Sequence, residues 1–316
     1  MSDDDFAATD LRQLHGLLGN ETRMRIMRVL WDEFDFSEYV TEEQDGVAFS
    51  TLRERTEVED PGNFNYHLGE LAGTLVENAG DGYVLTPLGY NLMRALDQYA
   101  SFEYETIDEW VVDDPCPFCD GDLAAQYRRE ILEVRCRDCG ALSDGGNFTF
   151  VQLSSTGTRH LSRHELLDAA TLVMASKVRS SMHGVCWDCH APMDLEFTVC
   201  EEHEPSERSG NCPSCLHRYQ TKVTASCPTC GTGGYGPTLE YAIVSQLVGA
   251  FFAGANHGPE QIGPWRYRLT ALASATETLV STEPVIVEIT LSFDGDTCRV
   301  TLEEESSRIV VTHSSG

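Results

Sequence analysis

Residues 186–230 read CWDCHAPMDLEFTVCEEHEPSERSGNCPSCLHRYQTKVTASCPTC, and the spacing of the cysteines within them decides how the larger part of the chain folds. Cys186-x-x-Cys189, Cys200-x-x-His203, Cys212-x-x-Cys215 and Cys227-x-x-Cys230 make four pairs and eight potential ligands, which suits two tetrahedral zinc sites. The order of pairing follows from the intervening stretches. Met193 to Val199 and Tyr219 to Thr224 are strand-like, and pairing them antiparallel sets the start of one beside the end of the other. Cys186 and Cys189 then share a metal with Cys227 and Cys230, while Cys200, His203, Cys212 and Cys215 close a site at the far tip. Sequential pairing, the first two pairs against the last two, is the alternative, and His190 or His217 can stand in for His203.

Working outward, Cys116-Pro-Phe-Cys119 and Cys136-Arg-Asp-Cys139-Gly140 are separated by sixteen residues, the spacing of a further Cys₄ zinc site. Ala125 to Val134 supplies β-capable residues between the knuckles, and Gly140 is expected to let the backbone turn under the metal. Three zinc ions per chain follow, all fully ligated by protein and so structural; an iron–sulfur cluster is the competing occupant. Structural zinc contributes on the order of 10 kcal/mol to small domains that lack a large core. Cys298 stands alone in an alternating strand and reads as a small core residue. Arg128, Arg129, Arg135 and Arg137 form the densest basic run, read as an acid-balancing face or as a nucleic-acid contact of this ribbon.

Upstream, Leu11, Leu14, Leu17 and Leu18 share one helical face, and Met24, Met27, Leu30 and Trp31 another after the Gly19-Asn20 break. An acidic connection, Asp32 to Gly46, leads to a short helix around Leu52, with Thr51 and Glu54 spaced as a capping box. Asp60-Pro61 opens a helix carrying Phe64, Leu68 and Leu71. Val76 and Tyr83 to Leu85 flank the turn of a two-stranded ribbon, and Thr86-Pro87 starts a helix with Leu88, Leu92, Leu96 and Tyr99 on one stripe, running on towards Trp110. Helix, helix, helix, turn, helix, ribbon, helix is the order of a winged helix-turn-helix. In such a fold the second helix of the motif lies in the major groove, which makes Asn63, Asn65, Tyr66 and His67 the candidate base readers. Arg53 and Arg55 are candidate phosphate contacts. Phe64 and Leu68 belong to the core, and Tyr66 and His67 either contact DNA or pack.

The residues of LHGLLGNETRMRIMRVL (14–30) and FSTLRERTEVEDPGNFNYHLGELAGTLVENAGDGYVLTPLGYNLMRAL (49–96) resemble ArsR-type winged-helix transcriptional regulators, most closely those of haloarchaea. The resemblance spans about residues 10–100 and rests on Asn20 to Arg23, Tyr66-His67-Leu68 and Gly82-Tyr83. It implies binding to double-stranded DNA as a homodimer, with the first helix and the Leu88, Leu92, Leu96 helix as the seam. Metal sensors of that family carry a Cys-x-Cys element on a helix of the DNA-binding domain. No cysteine precedes Cys116, so sensing by that route is not implied.

Between the cysteine clusters, Leu161 to Met182 forms one amphipathic helix, expected between the two ribbons. Beyond Tyr235 come a helix with Leu239, Ile243, Leu247 and Phe251, a second from about Trp265 to Leu279, and a β-meander of Val285 to Phe293, Thr297 to Glu303 and Arg308 to Thr312. The fold class is therefore α+β and multidomain: a winged helix-turn-helix over 1–110, a first zinc ribbon over 111–150, a linking helix over 151–183, a second zinc-binding region over 184–235 and a small α+β tail over 236–316.

The 51 acidic residues against 22 basic ones, of which only Lys177 and Lys222 are lysines, give a net charge of −29 and point to a halophile. Residues 1–100 hold seven arginines against 20 acidic residues, unusual for a DNA binder but tolerable where salt screens the phosphates. The first residues are acidic and no apolar run approaches the ~20 residues of a membrane span, so a cytoplasmic protein is expected. No phosphate-binding glycine loop, GxSxG or HExxH occurs, and an enzyme is not expected. The leading function is transcriptional regulation. The alternatives are a winged-helix and zinc-ribbon module that contacts the archaeal transcription machinery, and a metal-dependent sensor.

Overall fold

A computed structural model of the chain describes residues 16–34, 46–98, 105–305 and 308–313. Leu11, Leu14, Tyr99 and most of the acidic connection lie outside the described residues. The chain divides into two compact units, Met1–Phe102 and Glu103–Gly316. The segments read as 111–150, 151–183, 184–235 and 236–316 all belong to the second.

In the first unit, residues 16–18 are helical and α1 spans Glu21–Asp32, capped by Asn20, whose side chain accepts from the Arg23 N–H at 3.1 Å. It buries Ile26, Met27, Val29 and Leu30. A two-residue strand β1 (Val47–Ala48) leads into α2 (Phe49–Arg55), which starts before Thr51: Ala48 is its N-cap and no side chain caps it. The expected Thr51/Glu54 box is thus not used, because pairing of β1 with β3 fixes where α2 begins. Asp60 does cap α3 (Pro61–Leu71), with proline in its first turn. Strands β2 (Val76–Ala79) and β3 (Gly82–Leu85) form the expected ribbon, widened by β1 to the order β1-β3-β2. Gly46 and Gly82 allow this: a Cβ on Gly82 would fall 2.1 Å from the Gly46 carbonyl oxygen. Thr86 accepts from the Gly89 N–H and begins α4 (Pro87–Gln98). The core joins Ile26, Met27, Leu30, Leu52, Phe64, Leu68, Leu71, Leu85 and Met93.

Helix α4 is described as far as Gln98, and Trp110, towards which it was expected to run, sits buried in strand β4 (Ile107–Val111). Isolated apolar residues there gain their strand character from pairing with β5. Strands β5 (Leu123–Arg128), β6 (Ile131–Cys136) and β7 (Asn147–Gln152) complete an antiparallel sheet in the order β4-β5-β6-β7. A helical turn α5 (Ser155–Thr158) precedes the 20-residue α6 (Arg163–Met182), opened by a capping box between Ser162 and Glu165. Helix α6 packs on β7 and on the C-terminal sheet, and its Lys177 ammonium lies 6.0 Å from the ring centre of Trp187 in the second cysteine region.

Strands β8 (Asp194–Val199), β9 (Thr221–Ser226) and β10 (Gly233–Pro237) form the middle sheet. The helix expected around Leu239 to Phe251 is two, α7 (Thr238–Ile243) and α8 (Gln246–Gly254), because the Ser245 hydroxyl caps a new start by accepting from the Val248 N–H. A short α9 (Pro259–Ile262) precedes α10 (Pro264–Ser274). That helix stops five residues before Leu279; Ala275–Thr282 is β11, whose alternating side chains pair with β12 (Val285–Phe293). Strands β13 (Asp296–Glu305) and β14 (Arg308–His313) complete the meander, with Asp294-Gly295 at positive φ in its turn.

One buried cluster runs from Trp110 through Leu166, Val223, Phe252 and Trp265 to Ile309 and includes Cys298. At its centre Arg268 of α10 donates to both Glu240 oxygens of α7, to Thr149 Oγ1 and to the Phe148 carbonyl of β7. Among the described residues no helix is long and apolar enough to cross a membrane.

Candidate metal centres

Three groups of side chains bring their ligand atoms within 4.8 Å of one another: Cys116, Cys119, Cys136 and Cys139; Cys186, Cys189, Cys227 and Cys230; and Cys200, His203, Cys212 and Cys215. Each could hold a metal ion. In the first, Sγ atoms lie 3.7 Å (Cys116 to Cys139) and 3.6 Å (Cys119 to Cys136) apart. In the second the distances are 3.7 Å (Cys186 to Cys230) and 3.5 Å (Cys189 to Cys227). Metal–thiolate bonds of about 2.3 Å at tetrahedral angles give an edge of about 3.8 Å, whereas a disulfide needs about 2.05 Å. The sulfurs are therefore spaced for ligation and not for oxidation.

Strand register accounts for the pairing. Val199 stands opposite Thr221 and Asp194 opposite Ser226, so the knuckles before β8 and after β9 meet at one end, and Cys200 meets the 212–215 knuckle at the other. The crossed arrangement holds, not the sequential one. His203 completes the third group with Nδ1 3.6 Å from Cys215 Sγ, while Nε2 donates to the Arg218 carbonyl at 3.1 Å. That bond fixes the ring and leaves Nδ1 as the free ligand atom. His190 and His217 are turned to other tasks: His190 is exposed at φ 63°, and the His217 ring lies 6.1 Å from that of Tyr235.

Four of the six pairs share one backbone turn. The N–H of Cys116, Cys186, Cys212 or Cys227 donates to the carbonyl five residues on, and the N–H four residues on returns to that cysteine's carbonyl. The residue four positions on, Asp120, His190, Leu216 or Gly231, has positive φ. Around Cys136 the turn differs: Ala141, not Gly140, takes the left-handed conformation. Gly140 serves close approach instead, since a Cβ there would fall 2.4 Å from Asn211 Nδ2.

Backbone N–H groups aim at the sulfurs. Asp138 and Cys139 donate to Cys136 Sγ at 3.4 Å, Ala141 to Cys139 Sγ at 3.3 Å and Asp188 to Cys186 Sγ at 3.4 Å. The N–H groups of Cys230 and Thr229 hold the Cys227 thiol down at about 6, whereas burial pushes Cys119 and Cys200 up to about 11. A bound cation replaces the protons of the high members, so the sites accept metal with proton release.

The four arginines of the basic run are largely committed. Arg128 pairs with Asp108, and Arg135 and Arg137 both pair with Glu109, which their guanidinium groups hold below its ordinary value. In the first unit, Asn63, Asn65 and Tyr66 stand exposed on α3, Tyr66 with 59% of its surface free. His67 is half-buried against Tyr66, and its pKa is lowered by burial and by Arg23. Arg53 is half-buried and Arg55 pairs with Glu33 of the α1 C-terminus. Sequence reasoning missed Arg218 and Asn211, which carry no motif and whose contacts lie far off in the chain.

Fold and site together define a mixed α/β chain of two units, the second containing three groups of cysteine and histidine that could each hold a metal ion. Residues 113–307 match the family model described as Domain of unknown function (DUF7351), and the chain belongs to that family. Residues 12–96 match a second, Domain of unknown function (DUF7347), and the boundary between the two matches falls where the compact units part. No curated protein and no solved structure matches the chain.

Proposed function

We propose that the chain is a DNA-binding transcriptional regulator, with a winged helix-turn-helix as its first unit and a second unit held by three structural zinc ions. The observation that carries this reading is the division of α3 into two faces. Phe64, Leu68 and Leu71 anchor it in the core, while Asn63, Asn65 and Tyr66 are left in solvent on a helix that follows α2 and precedes the β2–β3 hairpin in the chain, the order that a winged helix-turn-helix requires. Asparagine pairs with adenine by two hydrogen bonds, and an exposed tyrosine suits contact with a base edge or phosphate.

Zinc is the occupant that the donor sets favour: eleven cysteine sulfurs and one imidazole in three groups of four, the number that a closed tetrahedral zinc site takes. When bound it supplies cross-linking and no open coordination position. Leu88 and Leu96 are exposed on one stripe of α4, which supports a homodimer joined there.

A second reading has an observation in its favour: α3 carries no lysine or arginine, and a face of that kind also suits a protein of the transcription machinery. Selection from a random duplex library in multimolar KCl, with the wild type and an Asn63→Ala/Asn65→Ala variant, separates the two. Regulation predicts an enriched inverted repeat that the variant loses by tenfold or more. No enrichment by the wild type defeats the operator reading.

A further inference from the structure

Residues 209–218 carry Cys212 and Cys215 of the third centre and lie against residues 139–142, which begin with Cys139, the last ligand of the first. Arg218 sits at the junction. Its backbone N–H donates to the Leu142 carbonyl at 3.1 Å and its Nε to the Ala141 carbonyl at 2.6 Å. Nη2 reaches Cys139 Sγ at 3.9 Å and the Ser209 carbonyl at 3.3 Å. The guanidinium lies 4.1 Å from the ring centre of Phe118, inside the first knuckle. The carbonyl of the same residue accepts from His203 Nε2 and so orients a ligand of the third centre. Asn211 adds a second tie through its bond to the Gly140 carbonyl at 2.9 Å, and the Gly140 N–H returns to Ser209 at 2.8 Å.

We propose that the first and third centres form a single cooperative metal-binding unit, with Arg218 as the positioning residue that joins them, while the second centre loads by itself. Two physical effects act through this residue. Four thiolates around a divalent cation leave a net double negative charge, which a neighbouring guanidinium partly offsets. Ligation of His203 also fixes its ring, hence the Arg218 carbonyl, hence the fork that meets Cys139. Outer contacts of this kind typically change metal affinity 10–100-fold, and coupling of two sites is reciprocal. The inference rests on the three groups holding metal.

Cadmium-113 NMR of the full chain loaded with cadmium tests it, because the four-sulfur centres and the three-sulfur, one-nitrogen centre resonate apart. During titration with EDTA, the signal of the mixed centre and one four-sulfur signal are expected to vanish together, with the other four-sulfur signal following its own course. In Arg218→Ala the paired signals should separate, with about tenfold less chelator needed for the first to go. Arg218→Lys, which keeps charge but not the fork, should also separate them. The unaffected four-sulfur signal reports that the unit remains folded in each variant. Three independent losses in the wild type, or joint loss that persists in both variants, would overturn the proposal. Failure of the chain to bind cadmium would instead remove the metal-binding reading on which it stands.

Discussion

Arg268 and Glu240 are 2% and 5% exposed, and each of the three guanidinium nitrogens is hydrogen-bonded. Such a pair adds little net stability over apolar residues, but removing one partner strands a buried charge. Glu240→Ala should therefore cost about 3–5 kcal/mol in chemical denaturation. Glu277 poses the opposite problem. It accepts from the backbone N–H groups of Gln220 (2.8 Å) and Thr221 (3.0 Å) and pins β9 to β11, while burial raises its pKa from 4.5. A raised folded pKa means that its contribution is full below about pH 4.5 and fades as pH rises through the folded value. Glu277→Gln keeps an acceptor for both N–H groups, so the variant should gain stability relative to wild type as pH rises through that window. Glu277→Ala should lose about 1–3 kcal/mol at every pH, because both N–H groups go unpaired. A pH series of urea midpoints for the three proteins distinguishes these outcomes.

At the scale of elements, caps and knuckles were legible because their signals are local. Asp60-Pro61 and Thr86-Pro87 each begin a helix where the side chain can reach a free N–H, and Ser162 with Glu165 does the same without having been foreseen, whereas the expected box at Thr51 and Glu54 is not formed. Ser162→Ala should cost about 0.5–2 kcal/mol, read as a lowered denaturant midpoint. The crossed ligation was legible too, since strand length and alternation fix which end of β8 meets which end of β9. Edge strands were not. Strand β10 is Gly233–Pro237, a segment with almost no strand propensity that exists because β9 offers it a ladder, while β4 and β7 are edges with β-favouring residues but too little alternation context to be placed. No glycine or proline separates Ser274 from Ala275, so the change from helix α10 to strand β11 is written in the partner β12 and not in the junction.

On the scale of the molecule, the second unit spans three sheets, but its helices and sheets share a single core into which Cys116, Cys186 and Cys227 are packed. Metal sites and apolar core are thus one structure, and the boundaries that the cysteine spacing suggested inside 111–316 mark sites more than independent domains. Chelation should release about three ions per chain. It should also abolish amide protection across 105–313 while leaving α1, α3 and α4 protected, as followed by hydrogen exchange with mass spectrometry. Loss confined to the knuckles would show that the apolar core is sufficient alone.

The claim on which the functional account depends is that α3 reads an operator. Crosslinking and sequencing of the tagged chain in cells kept at their growth salt tests it most directly. The account predicts a limited set of discrete sites sharing an inverted repeat, lost when Asn63 and Asn65 are both replaced by alanine. Diffuse signal that follows polymerase across active promoters, unchanged by that replacement, would contradict it.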